Sequence, residues 1–144
     1  MVKTVSAQPI SSSISNRRLL WAGVVTIVAV MAANTVVRFV AAATLQPDPA
    51  FTPLGPVTPA IFSLLGVLGA VVLLGVIGRY SQRPVWLFQR IVLIALPLTW
   101  LPDIMLLFVS AFPGVTLAGV LVLMLMHVVA VLGLLTLLPS LLRE

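Results

Sequence analysis

Apolar residues gather into four long blocks along the chain, and most polar residues fall between them. A half-buried strand would alternate apolar and polar positions, and a surface helix would show one apolar stripe. Blocks of roughly 20 residues that are apolar all round instead predict helices solvated by lipid. The blocks cover about residues 19–38, 60–78, 91–109 and 117–138. They predict an all-α fold, a bundle of four transmembrane helices joined in up-down order by short connections. Residues 1–16, MVKTVSAQPISSSISN, are polar, Ser-rich and aperiodic, and are expected to be a mobile tail. Residues 17–144 then form a single membrane domain. The first block resembles a secretory signal followed by Ala41-Ala42-Ala43, but it is longer than such a core and Arg38 interrupts it, so a retained span is expected.

The segments between blocks agree with this division. Gln46 to Pro59 holds five prolines and a glycine, which precludes a regular helix. Pro59 sits at the expected start of the second helix, where its missing N–H costs nothing. RYSQRPVWLFQR is basic, is broken by Pro84, and carries Tyr80, Trp86 and Phe88, aromatics of the kind found at headgroup level. SAFPGVT is a tight uncharged turn.

Composition strengthens the membrane reading: 61% of the 144 residues are apolar and 8% are charged. A soluble domain of this size leaves roughly a third of its unfolded surface wet and cannot hide so much apolar area. The net charge of +5 could suggest nucleic acid, but the basic residues are few and flank the apolar blocks, so no nucleic-acid partner is expected. Lys3, Arg17, Arg18, Arg79, Arg83, Arg90 and Arg143 fall on the side of the termini and middle loop, and only Arg38 on the other. Basic flanks are retained in the cytoplasm, which places both termini there, in a bacterial cytoplasmic membrane. There are no cysteines, hence no disulfide, thiolate metal site or cysteine nucleophile.

Within the blocks a few polar residues stand out. Asp103 lies in the third, between Pro102 and Ile104. An ionised carboxylate at mid-bilayer costs roughly 2.5–3.5 kcal/mol even on the lenient scale, so it needs a partner, water or a proton. At the helical rise Asp103 lies roughly 18 Å into the third span, Asn34 roughly 22 Å and Arg38 roughly 28 Å into the first, counted from the cytoplasmic side. His127 is near the middle of the fourth. Asn34 and Arg38 share a helix face, as do Thr99, Asp103 and Ser110. Asp103, His127, Arg38, Asn34 and Thr99 are therefore expected to form one intramembrane polar cluster. It is read first as an interhelical clasp and alternatively as a proton relay. Pro97 and Pro102 would free the carbonyls of Leu93 and Leu98 beside it.

Gly66, Gly69 and Ala70 put small residues on one side of the second helix, a pattern that lets helices approach closely, within the bundle or across a homodimer. No HExxH, GxSxG, Walker A, GxGxxG or paired carboxylates occur, so no enzyme and no metal site are expected. His127 could ligate a haem or chlorin, but a lone histidine among bulky neighbours is a weak signal, and no cofactor is expected.

RLLWAG, the Pro-rich loop, the Gly-rich second span, RYSQRP, WLPDIMLL and LMLMHVVAVLGLL, taken in order, resemble the bacterial integral-membrane family known as domain of unknown function 6069. The resemblance runs from Arg17 to the end. Its most specific parts are Pro102-Asp103 and Met126-His127. It implies four spans and draws attention to Asp103 and His127, and it supplies no activity or substrate. The expected protein is a small non-enzymatic accessory or structural subunit of a membrane assembly. The alternative is a small proton-coupled transporter or channel using the Asp/His/Arg cluster.

Overall fold

A computed structural model describes residues 15–109 and 112–143. The expected tail at 1–16 lies outside them, apart from its last two residues, as does Ser110. The chain is all-helical among the described residues. Four helical runs are long and apolar enough to cross a membrane.

Helix α1 spans Asn16–Leu45, well past the expected end near 38. The segment AAATL offers strong helix formers and no breaker until Pro47, so propensity carries the helix on beyond the apolar block. It stops at Gln46, which takes the left-handed conformation (φ 44°, ψ 58°) just before that proline. A single 3₁₀ turn, Thr52–Leu54, interrupts the Pro-rich loop. Helix α2 spans Thr58–Tyr80, with Pro59 in its first turn as expected. Helix α3 spans Pro84–Met105. It begins earlier than 91 because Pro84 starts a helix instead of ending one, and VWLFQR continues it. It also ends earlier than 109, in turns over 106–108.

Helix α4 spans Leu117–Leu132, opened by Thr116, whose hydroxyl accepts from the Gly119 N–H at 3.0 Å. A π-helical turn, Gly133–Leu137, then leads into α5, Leu138–Arg143. Leu117–Leu142 thus acts as one long span.

Contacts run from α1 to α2, α2 to α3, α3 to α4 and α4 back to α1, so the helices form a four-membered ring. The core is divided. One cluster joins Leu19, Ala22 and Val30 of α1, Val71, Leu74 and Ile77 of α2, Phe88 and Val92 of α3, and Leu134 and Leu138 beyond α4. The other joins Ala41, Val122 and Met126 to Phe51 and Leu54 of the Pro-rich loop. Phe51 is 1% exposed. It is seated against Gly119, where an added Cβ would lie 3.0 Å from its ring. Large apolar side chains elsewhere, including Phe39, Phe62, Leu65, Ile94 and Leu98, point outward. A soluble protein would not leave such a surface wet, and lipid suits it.

Candidate functional site

Among the described residues the buried polar side chains are Thr26, Asn34, Ser63 and Asp103. Thr26 donates to the Ala22 carbonyl one turn back, at 2.8 Å, which satisfies the hydroxyl without engaging another helix. The other three reach across helix seams.

Asp103 lies on the inner side of α3. Pro97, Leu98, Leu101 and Pro102 occupy the exposed side, so the two prolines face outward while the carboxylate next to Pro102 faces in. Its Oδ2 lies 3.1 Å from Nδ1 of His127 on α4. The same Nδ1 lies 2.9 Å from the carbonyl of Leu123, one turn back on α4. One ring N–H thus has two acceptors in reach. As placed, it is directed to Leu123, and Oδ2 of Asp103 is buried without an aligned donor. The contact is close in distance and imperfect in angle. Trp100, one turn before Asp103, donates its Nε1–H to the Met124 carbonyl at 3.3 Å and ties the same seam a second time.

Asn34 faces the other seam. Its Nδ2 donates to Ser63 Oγ at 2.8 Å, joining α1 to α2, and its Oδ1 is buried without a partner. Arg38, one turn further along α1, is long enough to reach outward or down toward Asp103, and it turns to the loop. Its Nε–H is shared between the carbonyls of Leu54 and Gly55, each at 3.1 Å, and its guanidinium stands 5.5 Å from the Phe39 ring centre. The physical reason is local: the carbonyls of Leu54 and Gly55 take no backbone N–H in the loop, where Pro59 has none to offer Gly55, and they lie within reach of a long donor. Thr99 likewise stays out of the pair, donating to the Leu96 carbonyl at 2.7 Å. The five residues expected to cluster therefore separate into one Asp103–His127 contact, one Asn34–Ser63 bond, an Arg38 loop clamp and a Thr99 back-bond.

The expected small-residue face of α2 also needs correcting. A Cβ added to Gly66 or Gly69 would meet nothing within 4 Å, so neither packs a helix within the chain; Ala70 does lie in the core. Close approach occurs at other glycines. At Gly23 a Cβ would lie 2.9 Å from Val71, and at Gly133 it would lie 2.6 Å from Val30.

Two contributors were not singled out from sequence. Ser63 interrupts an apolar run, which is the signal it offers. Gln89 of α3 donates to the Leu135 carbonyl at 3.3 Å, inside the π-helical turn. Widened turns expose carbonyls, and Gln89 supplies a donor there. Among the described residues no three His, Asp or Glu side chains converge as a metal site.

No curated protein and no solved structure matches the chain. The sequence profile of one family does, over residues 14–144, nearly the whole length and including every residue of the seams just described. The chain belongs to that family, the family of unknown function DUF6069.

Proposed function

We propose that this protein is a structural element of a membrane, a small non-enzymatic accessory subunit or a standalone scaffold, whose intramembrane polar groups hold its helices in register. The observation that carries the reading is pairing. Among the described residues the polar groups meet seam by seam, Asn34 bonded to Ser63 and Asp103 in ion-pair range of His127, and do not gather into one cluster. An interhelical bond of the Asn34–Ser63 kind stabilises a membrane helix pair by about 0.6–2 kcal/mol. In this reading the helices alternate in direction. That is supported by the way the core joins the start of α1 to the end of α2, the start of α3 and the end of the fourth span. Both termini lie in the cytoplasm, as the bias of basic residues favours.

Asp103→Asn tests it. The amide keeps the shape and much of the hydrogen bonding and removes the charge. The structural reading expects lower thermal stability in detergent and no pH-driven flux in proteoliposomes for either wild type or variant. Retained stability together with a wild-type proton flux that the variant loses would establish transport instead. That second reading is favoured by one observation, the imidazole–carboxylate contact inside a span. A visible spectrum of the purified protein is expected to lack a Soret or red band. Detergent-corrected mass and co-purification from the native membrane would show whether the bare Gly66/Gly69 side of α2 takes a second chain.

A further inference from the structure

We propose that the pocket beneath the Pro-rich loop binds a phospholipid headgroup that carries both a phosphate and a primary ammonium, with Arg38 holding the phosphate and Asp48 the ammonium. The inference needs only that α1 crosses a bilayer, and it does not depend on the structural role proposed above or on the direction of insertion.

The pocket is a cavity of about 280 Å³ at the end of α1, lined by Arg38, Ala41, Gln46, Asp48, Phe51 and Leu54 among others. Its depth suits a headgroup. Arg38 is roughly 28 Å along α1 from Leu19 by the helical rise, close to the roughly 30 Å thickness of a hydrocarbon core.

Arg38 is positioned and unspent. A guanidinium carries five N–H donors. The loop carbonyls of Leu54 and Gly55 take Nε–H and fix the plane of the group. Its terminal nitrogens make no hydrogen bond among the described residues, and no described carboxylate comes within ion-pair distance. A guanidinium held at Nε with its terminal donors unengaged is suited to phosphate oxygens.

A second charge lines the same cavity. Asp48 Oδ1 accepts from the Ala50 N–H at 2.8 Å, which orients the carboxylate, and its Oδ2 makes no hydrogen bond among the described residues. A purely anionic ligand would meet this carboxylate as a repulsion. A ligand with a cation a few bonds from its phosphate satisfies both groups. The acyl chains have a place as well, since Ala42 and Leu45, four and seven residues on from Arg38, are exposed on the same face of α1.

The test uses the full chain in detergent micelles, with phosphatidylethanolamine, phosphatidylcholine and phosphatidylglycerol of matched acyl chains added one at a time. Native mass spectrometry reads the bound lipid. The ethanolamine lipid is expected to bind about fivefold more tightly than phosphatidylglycerol, the size of one exposed charge pair, and more tightly than phosphatidylcholine, whose quaternary ammonium has no N–H to donate to Asp48. Arg38→Gln should abolish that binding. Asp48→Asn, at an exposed position away from the core, should lower ethanolamine-lipid binding to the phosphatidylglycerol level and should not weaken phosphatidylglycerol binding. If Arg38→Gln loosens the loop and fails to fold, Arg38→Lys keeps the charge and should retain partial binding. Equal occupancy by all three lipids overturns the proposal, as does a preference for phosphatidylglycerol or ethanolamine-lipid binding unaltered by Asp48→Asn.

Discussion

Asp103 and Asn34 meet the same problem in different ways. Each is polar, buried in a lipid-solvated bundle, and left with one oxygen lacking an aligned donor. For Asn34 the energetics can be separated. Removing one partner of a buried bond strands the other, at about 1–3 kcal/mol, whereas replacing both by apolar groups is nearly neutral. Ser63→Ala is therefore expected to lower stability by about 1–2 kcal/mol, and Asn34→Leu in that background to recover most of the loss. A double-mutant cycle in a denaturant titration of the micellar protein measures this, and strict additivity of the two changes would show that the bond contributes nothing. The sequence exposes Asp103 because a lone carboxylate in an apolar helix must find something, but depth put Asn34, Arg38 and His127 alike within its range, and the packing of α3 on α4 chose His127. Ser63 was not legible, since serine in a membrane helix can satisfy itself against its own backbone. The direction of Arg38 was not legible either: a long side chain can reach up or down, and loop carbonyls freed near prolines decided it.

At the scale of elements, the number and rough position of the helices were readable from the apolar blocks, and their ends were not. Apolar length measures the hydrocarbon slab, whereas a helix ends where backbone chemistry stops it, at Gln46 before Pro47 or at Thr116 with its side-chain cap. Which glycines pack was likewise hidden, because spacing along one helix says nothing about where its neighbour lies. Gly133 begins the π-helical turn and faces Val30 so closely that a Cβ would lie 2.6 Å from Cγ2 of the valine. Gly133→Ala is expected to destabilise the bundle by about 1–3 kcal/mol, and Val30→Ala in the same chain to relieve it. Gly66→Ala enters open space and should be neutral or stabilising by up to about 1 kcal/mol through helix propensity. Thermal unfolding in detergent separates the two, and equal losses at both sites would contradict the packing. Gln46 offers a further check on an end: Gln46→Gly suits the left-handed cap and should not lower the unfolding temperature, while a β-branched Gln46→Val should.

For the whole molecule, the arrangement of two apolar clusters around a polar middle has a consequence for insertion. One cluster draws on the start of α1, the end of α2, the start of α3 and the end of the fourth span; the other holds the Pro-rich loop against the far end. If those ends lie at opposite membrane faces, the loop after α1 and the loop after α2 must be exposed to different compartments. The basic residues then choose which: Arg79, Arg83 and Arg90 surround the second loop, and such clusters resist translocation. The chain has no cysteines, so a single introduced thiol reports cleanly. Ala50 and Gln82 are exposed positions in the two loops. Ala50→Cys is expected to react with a membrane-impermeant maleimide on intact bacterial cells, and Gln82→Cys only after permeabilisation. The reverse pattern would invert the orientation and place the phospholipid pocket in the cytoplasmic leaflet. Labelling of both from outside would mean that α2 does not cross the bilayer, and the pairing of Asn34 with Ser63 would then lose its setting between two spans.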